Sequence, residues 1–304
     1  MKFTVKGVKR RIMRMRKILI PIYKKGFKIL DGSGIGSFYP VKVINRFIIH
    51  RLKSSFAEVQ GNKMFLDSKD SLLFSIIGAY EPFETELVKK EIKKGDVVLD
   101  LGANIGYYTL IFAKLVGEKG KVFAFEPEPD NFALLKKNVE INGYKNVVLV
   151  QKAVSNKTGK LKLYLCKDNT GGHSIHPFES PQDGNQSIEI EATRLDDYFK
   201  TYDGKIDFIK IDIEGAEKEA IQGMSSLLEK NKNVKVVSEF NPPLLKQGGI
   251  EPEEYLELLT GFGFKLYEVS EQEKKIKPVD IPKFLEMYAP SKRKYTNLLC
   301  TREK

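Results

Sequence analysis

The sequence predicts an α/β protein with a Rossmann-like, doubly wound parallel sheet, and three observations support this fold class. First, the apolar run at 97–99 ends at Asp100 and a glycine-containing turn, after which apolar residues follow helical spacing. Second, the apolar run at 121–125 ends at the carboxylate of Glu126. Third, 207–212 is another apolar run that ends in an acid and a turn into a helix. Strands that alternate with helices in this way predict a parallel sheet.

The other elements follow from the same patterns, taken in chain order. Before the first strand of the sheet we predict a helix at 39–52, a hairpin at 58–66 that turns at 61–62, and helices at 71–79 and 82–92. After Glu126 we predict a helix at 130–142 and a third strand at 147–150. The fourth strand leads into a helix that ends near Leu228, the fifth strand is 234–240, and a helix at 252–260 precedes an antiparallel pair at 264–269 and 297–301.

Between the third and fourth strands, the segment 155–207 interrupts the alternation of strands and helices. Residues 160–165 and 187–193 alternate in polarity, which predicts an inserted β-hairpin. Its connection, 167–186, is rich in Gly, Pro, Ser and Asn and contains His173. Irregular loops longer than about 12–15 residues usually cover or form a site, or lack order. We therefore predict that this loop is a lid.

The composition indicates a soluble globular protein. Hydrophobic residues make up 41% and charged residues 30% of the 304 residues, which is enough chain to bury a full α/β core. The two cysteines, Cys166 and Cys300, define no disulfide framework and have no metal-binding spacing.

The net charge of +11 is concentrated at the N-terminus. Eleven Lys and Arg residues precede Asp31, the first acidic residue, and the remaining 40 basic residues equal the 40 acidic ones. A broad basic face for nucleic acid is therefore not expected, although a local patch remains open. We divide the chain into a basic helical arm, 1–60, and a domain, 61–304.

The arm has the pattern of a basic amphipathic helix that Pro21 should end or kink. Its apolar positions are Val8, Ile12, Met15, Leu19 and Ile22. One interpretation is peripheral contact of residues 1–30 with an anionic membrane; the other is a helix that packs on the domain. The apolar run 18–22 is too short for a signal sequence or a membrane span, so we expect a cytoplasmic protein, with peripheral membrane contact as the open question.

The turn after the first strand indicates which ligand the sheet binds. Gly102 and Gly106 allow positive φ or a close approach to the backbone. A dinucleotide fingerprint requires glycine at the positions of Asn104 and Tyr107, so that interpretation fails on spacing. An acid at the strand end, a turn of small residues and no phosphate-binding lysine suit a ligand with an amino group and no phosphate, such as S-adenosylmethionine.

The predicted cofactor site surrounds this turn. Glu126 follows Gly106 by 20 residues, where a carboxylate reaches the two ribose hydroxyls. Residues at the end of the third strand usually border the adenine. Glu81, before the helix at 82–92, is a candidate for the polar end of the ligand, although an acid at a helix N-terminus is the commoner explanation. The full predicted set is Glu81, Asp100, Gly102, Ala103, Asn104, Gly106, Glu126, Pro127, Lys152, Ala153 and Asp212.

In this order the motifs resemble the FkbM family of S-adenosylmethionine-dependent methyltransferases. The matching segments are Asp100-Leu-Gly-Ala-Asn-Ile-Gly106, Phe125-Glu-Pro127, Lys210-Ile-Asp-Ile-Glu-Gly-Ala-Glu217, Glu239-Phe-Asn-Pro242 and Asn297-Leu-Leu299. The likeness runs from about Gly61 to Cys300 and excludes the arm. It implies the class I methyltransferase fold, a seven-stranded sheet with a reversed last strand. It also implies methylation of a hydroxyl, often on a sugar or a glycan-like product. Asn104 looks normal for this family, whereas Lys152 stands where many methyltransferases carry an acid near the adenine.

Methyl transfer to a hydroxyl requires alignment and removal of a proton. Candidate groups lie at the carboxyl ends of the fourth and fifth strands or in the lid, because the crevice opens there. We predict that Asp212 positions or deprotonates the acceptor, with a carboxylate satisfied by helix N–H groups as the alternative. His173 is the natural base if the lid folds over the site, and Glu239 is a further candidate; Glu214 and Glu217 are more typical of helix-terminus acids.

Asp212, Glu239 and Asn241 also suggest Mg²⁺, which prefers such oxygen ligands and would acidify a hydroxyl. Two other functions stay open. The first is an N-methyltransferase acting on nucleic acid, but Asn241-Pro-Pro-Leu244 lacks the aromatic residue of the amino-methyltransferase signature. The second is a non-catalytic protein that binds membranes or polyanions and retains the fold. We expect a small-molecule or glycan acceptor and no nucleic acid partner.

Overall fold

This computed structural model describes residues 19–21, 53–68, 70–167, 169–178, 186–289 and 295–302. Most of the predicted basic arm and the whole predicted helix at 39–52 lie outside the described residues. Residues 19–21 are helical. Among the described residues, no helix has both the length and the apolar surface needed to cross a membrane.

The described strands are β1 (Phe56–Val59), β2 (Asn62–Phe65), β3 (Val97–Leu101), β4 (Lys121–Phe125), β5 (Val147–Val150), β6 (Ala153–Val154), β7 (Gly159–Tyr164), β8 (Ser187–Thr193), β9 (Phe208–Ile211), β10 (Lys235–Phe240), β11 (Lys265–Ser270), β12 (Lys275–Pro278) and β13 (Thr296–Thr301).

The described helices are α1 (Phe74–Ile77), α2 (Pro82–Glu91), α3 (Tyr107–Val116), α4 (Pro129–Ile141), α5 (Leu195–Tyr198), α6 (Glu217–Gly223), α7 (Ser225–Lys230), α8 (Pro242–Gln247), α9 (Pro252–Gly261) and α10 (Ile281–Met287).

The central sheet confirms the predicted fold class. Its strand order is β12-β11-β13-β10-β9-β3-β4-β5. The five strands from β10 to β5 are parallel, whereas β13 runs antiparallel to both β10 and β11. The sheet thus has the reversed last strand that we predicted, and β12 extends it to eight strands. This edge strand reads Lys-Ile-Lys-Pro, and lysine and proline are residues that block further pairing at a sheet edge.

The strand order reverses at β3. The chain passes from β3 to β4 on one side, and β9 pairs with the other side of β3. In doubly wound sheets, the ligand crevice opens at the carboxyl ends of the strands on either side of such a switch point. The turns after β3, β4 and β9 therefore meet at the site.

Each face of the sheet is covered by a buried apolar cluster. Because side chains alternate along a strand, Leu99 and Ile209 face one cluster, whereas Val98 and Phe208 face the other. Lys210 pairs with Asp100 across the β3–β9 register, and so lies on the same face as Phe208. This charged residue is 1% exposed.

The inserted hairpin is confirmed as β7 and β8. These strands pair antiparallel, with Gly159 opposite Ala192 and Tyr164 opposite Ser187. The short strand β6 pairs in parallel with β8, so that the insert forms a separate three-stranded sheet. An apolar cluster that includes Ala153, Leu163 and Ile190 packs within it.

Three local predictions were wrong. The first hairpin turns at Gln60 and Gly61, both at positive φ, because Val59 pairs with Asn62. The helix expected at 71–79 is only the single turn α1, which ends at Gly78 in the left-handed conformation. The helix expected to reach Leu228 breaks between α6 and α7, where Gly223 packs so closely on Ser155 that a Cβ atom would lie 2.1 Å from its carbonyl oxygen.

Candidate active site

The turn after β3 joins the ends of β3, β4 and β9. Gly102 has φ +84° and packs against the backbone of Asp212, so that a Cβ atom there would lie 1.9 Å from the Asp212 carbonyl oxygen. Asn104 also adopts positive φ, at +49°. Gly106 has φ +99° and begins α3. The backbone conformation of this turn thus brings Asp212 directly beside the end of β3.

Glu126 lies at the mouth of the turn. It is 5% exposed, and its carboxylate accepts hydrogen bonds from the backbone N–H groups of Asn104 at 2.8 Å and Glu128 at 2.9 Å. Burial raises the pKa of Glu126 to about 7, against the effect of these two hydrogen bonds. Each carboxylate oxygen keeps further capacity to accept hydrogen bonds.

A crevice opens on both sides of the turn, and each side has a volume of about 530–540 Å³ including its open mouth. We call these the Glu126 side and the Lys210 side. They share the residues Gly102, Asn104, Gly171, Asp212 and Glu214. Asp212 therefore borders both sides.

The Glu126 side has largely apolar walls, which are Phe125, Ala153, Val154, Leu163, Ile175, Ile213 and Ala216. Its polar lining includes Glu126, Asn131 and Lys152, with Pro127 beside them. A slot with apolar walls and a few convergent polar groups is typical of a small-ligand site.

The Lys210 side has charged and aromatic residues in its lining. Asp100 and Lys210 line it together with Tyr80, Tyr107 and Tyr108. Asp100 is buried and accepts a hydrogen bond from the Thr109 hydroxyl. Burial raises the pKa of Asp100 to about 6, although this hydrogen bond and the nearby Lys210 ammonium oppose the shift.

Lys210 is the centre of a buried ionic cluster. Its Nζ atom lies 3.0 Å from Asp212 Oδ2, 3.4 Å from Glu84 Oε1 and 4.6 Å from the centre of the Tyr108 ring. Burial lowers the pKa of Lys210, but the carboxylates of Asp212, Glu84 and Glu81 outweigh it and raise the pKa above the usual range of lysine. The raised pKa favours the charged form of Lys210.

Further carboxylates lie close to Asp212. Glu214 is at positive φ, and burial with the neighbouring Asp212 and Glu217 raises its pKa to about 8. Burial raises the pKa of Glu239 well above the usual range, and the charges of Glu214 and Asp212 add to this shift. Glu217 accepts hydrogen bonds from backbone N–H groups of the turn, as expected of an acid at a helix N-terminus.

The described part of the predicted lid is docked over the crevice. The Asn131 side-chain amide donates to the Thr170 carbonyl at 2.7 Å, and the Thr170 hydroxyl lies 3.0 Å from that of Ser71. Further along, the Ser174 hydroxyl donates to the Glu214 carbonyl at 2.7 Å. These contacts hold the loop against the crevice that the turn after β3 borders.

His173 lines only the Glu126 side, and it is not bonded to Asp212. Its Nδ1 atom accepts the backbone N–H of Cys166 at 3.0 Å, and burial lowers the pKa of the imidazole. The proton of the neutral ring is then on Nε2. This arrangement leaves no free nitrogen lone pair for a base, so a catalytic role for His173 stays a prediction that requires the loop to rearrange.

The structure brings most of the predicted cofactor residues together at the crevice. Gly102, Ala103, Asn104, Asp100, Glu126, Pro127, Lys152, Ala153 and Asp212 line it. Gly106, Glu81 and Glu239 are not among the lining residues. Gly106 packs on Leu135, and Glu81 accepts a hydrogen bond from the Asn297 amide at 3.0 Å instead of capping α2.

Sequence patterns missed Lys210, Glu84 and Asn131 as site residues. Lys210 carries one local signal, because it is a single charge in the apolar strand Phe208-Ile-Lys-Ile211. Glu84 and Asn131 lie on α2 and α4 and have no such signal. As for the predicted Mg²⁺ ligands, the described residues contain no group of three His, Cys, Asp or Glu side chains placed to hold a metal ion. The metal hypothesis gains no support from this geometry.

The sequence that forms much of this crevice matches a known domain. Residues 100–266 match the model of the methyltransferase FkbM domain. The chain belongs to this family. The matched segment begins at the end of β3 and extends into β11.

Several curated relatives are similar to this FkbM-family chain. Methyltransferase sdnD of Sordaria araneosa is 29% identical over 42% of this chain and 60% of its own length. The hexuronic acid methyltransferase AglP of Haloferax volcanii is 26% identical over 57% of this chain and 65% of its own length. The 31-O-demethyl-FK506 methyltransferase FkbM of Streptomyces tacrolimicus is 29% identical over 44% and 61%. The chain therefore covers less than two thirds of the length of each of these relatives.

Proposed function

We propose that this chain is an S-adenosylmethionine-dependent O-methyltransferase that acts on a hydroxyl of a sugar, a glycan or a glycan-like, lipid-linked substrate. The observation that carries the proposal is that Glu126 and Asp212 line the crevice together with Gly102. We propose that Glu126 binds the ribose and that Asp212 binds the acceptor. Membership of the FkbM family supports methyl transfer.

The Glu126 side fits the adenosine part of the methyl donor. The Glu126 carboxylate accepts two backbone hydrogen bonds and can accept more. Ribose hydroxyls can donate hydrogen bonds to it. The apolar walls suit an adenine ring, with Lys152 and Ala153 at its edge. Asp100, Ala103 and the turn would hold the methionine end. When bound, the donor supplies a methyl group on a positively charged sulfur.

Asp212 is the proposed group that orients the acceptor hydroxyl and takes its proton. Its Oδ2 atom accepts from Lys210, whereas Oδ1 accepts no hydrogen bond from the described residues. Oδ1 is thus available to a hydroxyl in the crevice. Displacement at a methyl group needs reacting atoms about 3–3.5 Å apart, so orientation is a large part of the catalysis.

Glu239 is proposed to assist as a hydrogen-bond donor. Its Oε2 atom is buried and has no hydrogen-bond partner among the described residues. The raised pKa favours the protonated carboxyl, and a protonated carboxyl can donate a hydrogen bond to the acceptor. Glu239 is not among the residues that line the crevice, so this role requires the acceptor to reach past them.

A hydroxyl is the proposed acceptor because the name of the 31-O-demethyl-FK506 methyltransferase specifies an oxygen, and a sugar is proposed because another relative is named for hexuronic acid. The lipid-linked alternative is motivated by the basic arm, whose residues 1–30 would contact an anionic membrane. Sedimentation with anionic liposomes, with and without residues 1–30, tests that contact. Loss of activity on exhaustive chelation would be needed to revive Mg²⁺ as a cofactor.

Incubation of the full chain with methyl-labelled donor and an acceptor panel tests the function. The panel contains methyl glucoside, methyl glucuronoside, a polyprenyl-phosphate-linked sugar and an RNA oligonucleotide, and products are weighed by mass spectrometry. We expect an added methyl group on a glycoside or on the lipid-linked sugar. Product from RNA alone would favour the N-methyltransferase alternative. Absence of donor binding in calorimetry would favour a non-catalytic protein.

A further inference from the structure

Glu84, Lys210 and Asp212 form a cluster of charged side chains beside an apolar part of the core. Lys210 and Glu84 are 1% and 0% exposed, and they lie on the apolar face of the sheet between β9 and α2. Lysine and glutamate are almost never buried so completely unless they are paired. Asp212 is the member of the cluster that reaches the crevice, with 27% of its side chain exposed.

The ammonium group of Lys210 is surrounded by side chains of the protein. An ammonium group has three N–H donors, and here two carboxylates and the face of an aromatic ring surround it at 3.0, 3.4 and 4.6 Å. Lys210 borders the crevice, but with 1% exposure it offers almost no surface to a ligand. We therefore expect its effect on the crevice to pass mainly through Asp212.

Glu84 interacts with both Lys210 and Tyr108. Its Oε1 atom lies 3.4 Å from Lys210 Nζ. Burial raises the pKa of Glu84, whereas the Lys210 charge and the Tyr108 hydroxyl favour its ionised form. Replacing a buried ionic cluster by apolar side chains is often neutral or stabilising in proteins. Stability therefore does not account for this cluster, whereas a fixed position of Lys210 under Asp212 does.

We propose that Lys210 is a positioning residue for the methyl-transfer step, because its ammonium, anchored by Glu84, fixes one oxygen of the Asp212 carboxylate and leaves the other directed to the acceptor hydroxyl. Asp212 has no other hydrogen-bond donor among the described residues, so that Lys210 alone sets the orientation of its side chain. This inference rests on the proposed function, since it assigns Lys210 to the same reaction.

Two variants separate positioning from simple charge neutralisation. Lys210→Met leaves Glu84 buried without an opposite charge, so we expect it to lower the thermal stability of the protein. Lys210→Met combined with Glu84→Gln removes both charges and should restore most of that stability. If Lys210 served only to neutralise Glu84, the double variant would regain turnover together with stability.

We expect the double variant to fold, to bind S-adenosylhomocysteine as the wild type does, and to lose turnover by about 10²-fold, the loss that a misplacement of about 1 Å causes. Turnover is measured with the methyl glycoside of the panel that gives the most product, and donor binding by calorimetry. The loss should appear in kcat and not in the affinity for the donor. A double variant that keeps wild-type kcat, or that fails to fold, overturns the proposal.

A second readout does not depend on the acceptor. Crystal structures of the wild type and the double variant with S-adenosylhomocysteine should show the Asp212 carboxylate turned away from its wild-type position. An Asp212 that stays in place overturns the positioning role, whatever the kinetics. If the wild type methylates nothing in the panel, the proposed function fails on that result, and the position of Asp212 still decides whether Lys210 holds it.

Discussion

The two sides of the crevice are built in different ways. On the Glu126 side, the backbone determines the geometry. Gly102 and Asn104 have positive φ, and backbone N–H groups donate hydrogen bonds to the carboxylate of Glu126. On the Lys210 side, side chains of α2, β9 and the turn after it are held by charge. The first side is thus set by a short segment of chain, and the second by contacts between distant elements.

This difference predicts where substitutions act, and the largest effect should come from the Lys210 side. Asp212→Ala removes the proposed acceptor-binding carboxylate, and we expect kcat to fall by about 10²–10⁴-fold, the usual contribution of a positioned acid or base. Donor affinity should fall far less than kcat, because Glu126 and the Gly102 turn are unchanged although Asp212 borders both sides of the crevice. Steady-state kinetics and calorimetry with the donor measure the two quantities. Turnover that survives with normal donor binding would remove Asp212 from the mechanism.

The second effect tests the backbone of the Glu126 side. A Cβ atom in Gly102→Ala would lie 1.9 Å from the Asp212 carbonyl oxygen, at φ +84°. The left-handed conformation alone costs a side-chain-bearing residue about 1–3 kcal/mol, and the clash adds to it. We expect loss of donor binding and a lower free energy of unfolding in urea.

Gly143→Ala is the matched control for this substitution. Gly143 also has positive φ, at +72°, but a Cβ atom there meets nothing within 4 Å. It should show the conformational cost without the clash and should bind the donor normally. Equal losses of stability in the two variants would show that the close approach at Gly102 contributes nothing.

The same difference explains what the sequence could predict. The Glu126 side follows from local patterns, because a glycine turn after an apolar strand and an acid at the end of the next strand are a few residues long. These patterns correctly led to the doubly wound sheet, whereas its reversed last strand was implied by the family resemblance. They also pointed to residues such as Gly102 and Pro127, which line the crevice. Boundaries that depend on tertiary contacts, such as the break at Gly223, were missed.

The Lys210 side could not be predicted in this way. Glu84 and Lys210 are 126 positions apart by their numbers, and only packing of α2 on the sheet brings them together. Asn131 reaches the lid by a similar long-range contact. Edge strand β12 was also missed, since a short polar strand has no apolar pattern of its own. Sequence patterns indicate which residues are buried and where the chain turns. Ion pairs between residues far apart in the sequence can be identified only when the fold is known.

A third, smaller effect is the pH dependence of donor binding. Burial raises the pKa of Glu126 to about 7, and ribose hydroxyls donate to the ionised carboxylate. Donor affinity should therefore rise with pH, by up to about tenfold per unit below pH 7, and level off above it. Asp100, Glu214 and Glu217 titrate nearby, so the measured quantity is the difference between wild type and Glu126→Gln.

The stability of the protein without donor should show the opposite trend. Since the pKa of Glu126 is higher in the folded state than its ordinary value of 4.5, the folded state binds the extra proton. Its contribution to stability is complete below pH 4.5 and is lost as the pH rises through about 7. Glu126→Gln should weaken both trends in calorimetric titrations and thermal unfolding across this range. Unchanged pH profiles in the variant would assign them to other carboxylates.

The smallest effect is expected at His173, on the lid above the Glu126 side. Its Nδ1 atom accepts the Cys166 N–H, so His173→Ala should cost about 0.5–1.5 kcal/mol of stability, the contribution of one hydrogen bond. The loss of kcat should be far below that of Asp212→Ala, because an imidazole engaged in this way has no lone pair for the acceptor proton. His173→Asn, which offers an amide oxygen to the same N–H, is the matched control. A loss of kcat as large as that of Asp212→Ala in both variants, with stability preserved, would instead make His173 the base, and the proton would leave on the Glu126 side.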